Sequence, residues 1–152
     1  MTMPQQETTR KPIRMLLIED NKGDALLINR AFSQLDTPYE ITVARTGEEA
    51  LSVLDGVRSY DYILLDLNLP GINGHEVLQT IKSSERFKHI PVFVLSSSRA
   101  QEDVLGSYQA YASCYLVKPH NLDALCEITS SITNFWFSKV LLPDNVSWRP
   151  SV

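Results

Sequence analysis

Cysteine is scarce: Cys114 and Cys126 stand alone among 152 residues, without C-x-x-C or paired-histidine spacing, and both fall in predicted core positions. Neither a zinc site nor a disulfide framework follows, and a reducing cytoplasm is the expected setting. Clusters of Lys and Arg are missing too. With a formal net charge of -4 and a pI near 5.3, the chain has no basic stripe for neutralising phosphates, which excludes a dedicated nucleic-acid surface. No apolar run is long enough to cross a bilayer, and the opening MTMPQQETTRKP lacks the apolar centre of a secretory signal, so a soluble protein without a membrane partner is expected. Internal repeats and low-complexity segments are absent as well. What remains is one core: 152 residues at 43% hydrophobic content suffice for a single well-buried domain and are too few for two ordinary ones.

Short apolar runs then alternate with amphipathic stretches. Met15 to Ile18 and Tyr62 to Leu65 have the uninterrupted look of strands buried on both faces, and Tyr39 to Ala44, Val92 to Leu95 and Tyr115 to Val117 complete a set of five. Between them, Asp24 to Leu35 places Leu27, Ile28, Ala31, Phe32 and Leu35 at helical spacing. Thr46 and Glu49 form a T-x-x-E capping box for a helix through Leu54. Gly74 to Lys82 and Gln101 to Tyr111 read as further helices, and Asn121 caps a last one with Leu125, Ile128, Ile132, Phe135 and Trp136 on its apolar face. Strands each followed by a helix imply an α/β fold, a doubly wound parallel sheet with right-handed crossovers. Residues 1–12 read as a mobile polar tail. Residues 138–152 keep Leu141, Leu142 and Trp148, too apolar for a solvated linker, and form an arm that needs a surface to cover.

The chemistry lies at the strand ends, which in an open parallel sheet line the ligand crevice. Glu19 and Asp20 follow the first strand, Asp66 the third, Ser96 ends the fourth and Lys118 follows the fifth. Converging carboxylates repel one another, and a hard cation with oxygen ligands relieves the repulsion; Mg²⁺ suits because it needs few carboxylates and keeps positions for water and phosphate oxygens. Phosphoryl transfer requires a placed nucleophile, a cation and donors to the equatorial oxygens, and Asp66, Mg²⁺, Ser96 and Lys118 make up that set. A flavin or dinucleotide carrier on the same architecture is disfavoured, since Glu19 and Asp20 stand where backbone amides would have to cradle a phosphate. A phosphatase or mutase of the D-x-D type is disfavoured by Asn68 at the second acidic position. His75, His89 and His120 lack ligand spacing and read as surface residues.

Four separated motifs, IEDN with Glu19 and Asp20, DLNLPGING with Asp66, VLSSS with Ser96, and YLVKP with Tyr115, Lys118 and Pro119, resemble the receiver domains of two-component response regulators over about residues 13–137. That resemblance implies the flavodoxin-like strand order 2-1-3-4-5. It further implies that Asp66 accepts a phosphoryl group from a histidine kinase, catalysing no more than its own phosphotransfer and dephosphorylation. Mg²⁺ would be bound by Asp20, Asp66 and the Asn68 carbonyl, with Glu19 holding a metal-bound water. Ser96 would swing to the phosphoryl oxygen, Lys118 would pair with its charge across a cis bond to Pro119, and Tyr115 would report the state by moving inward; Tyr115 equally fits a plain core or edge aromatic.

IEDNKGDALLINRAF together with NFWFSKVLLP is similar to the single-domain regulators of cyanobacterial and bacterial phytochromes. A phytochrome-type kinase, a homodimer using Phe135, Trp136, Leu141 and Leu142, and output through protein contacts with a downstream phosphotransfer or effector protein are then expected. Ser96 in place of the commoner threonine, Ser97 in place of alanine and His120 in place of an aromatic are departures that bear on phosphoryl lifetime. A phosphorylation-independent adaptor on the same fold stays open.

Overall fold

The computed structural model describes residues 11–56 and 58–143. The tail up to residue 10 and the end of the arm, Trp148 included, therefore lie outside the described residues. Among the described residues ten elements alternate: β1 (Ile13–Ile18), α1 (Lys22–Ser33), β2 (Tyr39–Ala44), α2 (Gly47–Leu54), β3 (Tyr62–Leu65), α3 (Gly74–Ser83), β4 (Val92–Ser96), α4 (Gln101–Gln109), β5 (Cys114–Val117) and α5 (Leu122–Trp136). The strands form one parallel sheet in the order β2-β1-β3-β4-β5. The chain thus winds outward from β1 to β2, then reverses across β1 to β3, and the reversal opens a crevice at the carboxyl ends of β1 and β3.

Alternation along each strand supplies both faces. Leu16 and Ile18 of β1, Ile63 and Leu65 of β3, and Val92 and Val94 of β4 pack under Ala50, Leu54, Val77, Leu78 and Ile81 of α2 and α3. Met15, Leu17, Tyr62, Leu64, Phe93 and Leu95 meet Ala25, Ile28, Ala31 and Phe32 of α1 and Leu125 and Ile132 of α5. β1, β3 and β4 are buried almost throughout because helices cover both sides, which is why their sequences lack polar alternation. Among the described residues no helix is long and apolar enough to cross a membrane.

Four helices start on side-chain caps. Asn21, Thr46, Asn73 and Asn121 each accept a hydrogen bond from the backbone N–H three residues on. The cap at Asn21 starts α1 two residues earlier than the apolar spacing predicts and puts Asp24 into its first turn. Glu49 turns its carboxylate to the Arg45 N–H at 3.2 Å, so the box closes one residue before Thr46.

α4 is the exception, with no side-chain cap and Ser107 as its one buried residue. It stops at Gln109 instead of Tyr111, which takes a left-handed φ of 71° beyond the helix end. The Lys118–Pro119 bond is trans, since no described peptide bond is cis; trans is the isomer that X-Pro bonds favour intrinsically, and it replaces the expected cis form.

Consecutive residues on a helix diverge by about 100°, and at the end of α5 this separates the two aromatics expected at an interface. Phe135 is 61% exposed, whereas Trp136 is half-buried and packs edge-on against Phe93 of the core at 4.9 Å between ring centroids. Leu141 is exposed and Leu142 half-buried. Cys114 and Cys126 are free and half-buried, short of full core positions because β5 is an edge strand and α5 lies on the outer layer. Of the histidines only His120 is exposed; His75 and His89 are half-buried.

Candidate functional site

β1 and β3 run side by side with Ile18 opposite Leu65, so the residues that follow them emerge together. Asp66 continues the ladder by donating its N–H to the Ile18 carbonyl at 3.0 Å, and Glu19 does the same toward Ala44. Both carboxylates are deeply buried, Glu19 at 1% exposure and Asp66 at 6%, while Asp20 is exposed at the mouth. One oxygen from each of the three lies within 4.8 Å of the others. Three oxygen donors that close, with no nitrogen or sulfur among them, fit a hard divalent cation.

The approach of α3 shapes the floor. A Cβ on Gly74 would stand 2.8 Å from the Asp66 carbonyl oxygen and 2.9 Å from that of Leu67, so only glycine lets the helix start this close to the strand end. Gly71 takes a φ of +72° to turn the chain toward it. Within this turn the Asn68 N–H donates to Asp66 Oδ1 at 3.1 Å, a local bond that fixes the carboxylate while Oδ2 faces the crevice.

Lys118 enters from β5. Its Nζ donates to Glu19 Oε1 at 2.8 Å, Asp24 Oδ2 at 3.0 Å and Asp66 Oδ2 at 3.3 Å. Burial pushes the Glu19 carboxyl up to about 7; the Lys118 hydrogen bond works against this, and the hydrogen bond and charge of Asp66 reinforce it. For Lys118, burial works against the charge, yet the contacts with Glu19, Asp66 and Asp24 outweigh it and hold the ammonium above its ordinary range.

Ser96, at the end of β4, is fully buried, and its Oγ accepts from the Ser98 N–H at 3.2 Å. Its carbonyl accepts the Lys118 N–H at 2.8 Å, which pins the strand end to the lysine. Tyr115 donates its hydroxyl to the Ser98 carbonyl at 2.9 Å, so this aromatic already reaches the β4–α4 loop. The structure therefore gathers Glu19, Asp20, Asp66 and Lys118 into one cluster, with Ser96 tied to it through the backbone and Tyr115 through Ser98. Phe135, Leu141 and Leu142 lie elsewhere, at the α5 end.

Two features escaped the sequence reading. Asp24 joins the lysine cluster, a placement that hinges on recognising Asn21 as the cap of α1. Asp103 forms the second: its Oδ2 accepts from the Ser98 hydroxyl at 2.5 Å and its Oδ1 lies 3.4 Å from His75 Nε2. The Ser98 hydrogen bond holds the Asp103 carboxyl below its ordinary value; burial opposes it, and the contact with His75 helps.

Comparison with known proteins agrees with this layout. The model of the response regulator receiver domain matches residues 15–130. Response regulator Rcp1 of Synechocystis sp. is 36% identical over 143 residues, covering 90% of this chain and 97% of Rcp1. The probable methanogenesis regulatory protein FilR2 of Methanothrix harundinacea is 41% identical over 130 residues, covering 82% of this chain and 84% of FilR2. Among solved structures, the phosphorylated cyanobacterial phytochrome response regulator RcpA superposes with a TM-score of 0.82 at 40% identity, over 88% of this chain and all (100%) of that one. The Mn²⁺-bound form of Rcp1 gives 0.80 at 37% identity, over 88% and 100%.

Proposed function

The chain belongs to the response regulator receiver domain family, and from that premise we propose that it accepts a phosphoryl group from a histidine kinase on Asp66. The observation that carries this reading is the placement of Asp66 Oδ2 in the crevice, 3.3 Å from the Lys118 ammonium and beside two further carboxylates. In the transfer, a carboxylate oxygen of Asp66 forms a bond to phosphorus as the N–P bond of the donor phosphohistidine breaks, its electron pair returning to the imidazole. Lys118 donates to the added negative charge, and Ser96 supplies a hydroxyl at the same end of the sheet. Glu19, Asp20 and Asp66, with the Asn68 carbonyl, would hold Mg²⁺. When bound, the ion neutralises the carboxylates and the equatorial phosphoryl oxygens together.

A phytochrome-type kinase is the favoured donor, supported by the similarity to RcpA and Rcp1 over nearly their whole length. Output passes through protein contacts. Exposed Phe135 and Leu141 support a homodimer at the α5 end, and Tyr115, bonded to the loop after Ser96, is suited to carry the state of the crevice toward α4. The test is phosphoryl incorporation from acetyl phosphate with and without Mg²⁺. Wild type should label only with the metal and Asp66→Asn not at all; labelling retained in the variant contradicts the reading.

A further inference from the structure

An ammonium has three N–H donors, and all three on Lys118 are committed in this structure, to Glu19, Asp24 and Asp66. The longest of the three contacts is the one to Asp66, the residue the lysine serves on the phosphoacceptor reading above, on which this inference rests. A phosphoryl group on Asp66 adds three oxygens; the N–H now aimed at Asp66 can turn to one of them, and a second donor is freed only when Glu19 or Asp24 is given up. Glu19 is 1% exposed, so no water can take over the 2.8 Å hydrogen bond that it would lose with the lysine. Asp24 keeps a 41% exposed side chain on the first turn of α1, where water can replace the lysine at little cost. Its neighbour Asn21 spans both groups, donating its N–H to Glu19 Oε2 at 3.2 Å and accepting the Asp24 N–H at 2.9 Å, so Asp24 is held at the crevice whether or not the lysine stays.

We infer that Asp24 is a positioning residue that competes with the phosphoryl group for Lys118. It parks the ammonium in the resting state, and its release accompanies phosphorylation. Asp24 lies 94 residues from Lys118 in sequence, and its carboxylate reaches the crevice through the lysine.

Beryllofluoride, a tetrahedral phosphoryl mimic that adds to a carboxylate oxygen, tests this at saturating Mg²⁺. Asp24→Asn should bind it about two- to fivefold more tightly than wild type, the range spanned by exposed ion pairs. The same substitution placed in a Lys118→Met background should change nothing, because the effect runs through the lysine. An unchanged affinity in Asp24→Asn, or an equal gain without the lysine, which would mark a general charge effect, overturns the inference. Should Lys118→Met fail to fold, the NMR signal of the Lys118 ε-methylene decides. In metal-free Asp24→Asn it should already lie displaced toward its beryllofluoride-bound position, and a signal identical to wild type overturns the inference. Wild type that binds no beryllofluoride would instead defeat the phosphoacceptor reading itself, and the competition with it.

Discussion

Glu19 is the residue whose protonation state most affects the crevice. In the metal-free protein its pKa of about 7 lies above the ordinary carboxyl value of 4.5, so a proton is bound through much of the range in which an exposed carboxylate would be charged. A cation needs that carboxylate ionised, so metal uptake must expel the proton. Below pH 7 the proton therefore competes with the metal, and above it the competition ends. Mg²⁺ affinity should fall roughly tenfold from pH 8 to pH 6, with about one proton released per ion at the lower pH. Titration calorimetry in two buffers of different ionisation enthalpy reads both quantities; a flat affinity with no proton release would show that Glu19 is already ionised in the free protein.

Much of the cluster was legible at this scale, because Glu19, Asp20, Asp66 and Lys118 each follow an apolar run that can only be a strand. Asp24 was not. An acidic residue in an amphipathic helix normally reads as part of the solvated face, and nothing local reveals a lysine 94 positions away.

At the scale of elements, the helices differ in what holds them. α1, α3 and α5 each bury four residues, whereas α4 buries Ser107 alone. Polar contacts replace packing there. Asp103 joins Ser98 and His75, the Ser107 hydroxyl donates to the Asp103 carbonyl at 2.8 Å, and the Tyr108 hydroxyl accepts the Tyr115 N–H at 3.1 Å. Asp103→Ala should loosen α4 selectively. Amide hydrogen exchange across residues 101–109 should accelerate by about an order of magnitude, as expected on losing one charge-assisted hydrogen bond, with β1 and β3 unaffected. Uniform acceleration throughout the sheet would show instead that Asp103 supports the whole fold.

The weakness of α4 was visible in its sequence as a poor apolar stripe, which also explains the misplaced helix end. The substitute contacts were invisible because they join a loop serine, a helix aspartate and a histidine of α3, a combination with no periodic signature. By contrast the buried runs and right-handed crossovers were enough for a doubly wound parallel sheet, while the order 2-1-3-4-5 came with the resemblance to receiver domains.

For the whole molecule, the remaining question is what covers the α5 end. Phe135 at 61% and Leu141 at 98% exposure are large apolar side chains facing solvent within a few residues of each other in sequence. Adjacent aromatics in the sequence gave no means of deciding which one packs inward; that is set by the helix phase, which seats Trp136 against Phe93. If this end joins two copies, Phe135→Ser combined with Leu141→Ser should halve the mass measured by light scattering and leave the circular dichroism of the monomer intact, since neither side chain is in the core. An unchanged mass would remove the dimer surface from this end. Trp136→Ser, in contrast, should destabilise the fold by about 3 kcal/mol, the low end for a large-to-small change because the ring is half-buried, seen as a lower denaturation midpoint.

A phosphoryl group accepted on Asp66, as proposed, would form an acyl phosphate whose position can be read chemically. Protein treated with acetyl phosphate and Mg²⁺, then reduced with borohydride, converts a phosphorylated aspartate to homoserine, which peptide mass spectrometry assigns to a position. The account predicts conversion at Asp66 alone. Conversion at Asp20 or Asp24 instead, or none in folded protein with the metal bound, would contradict it.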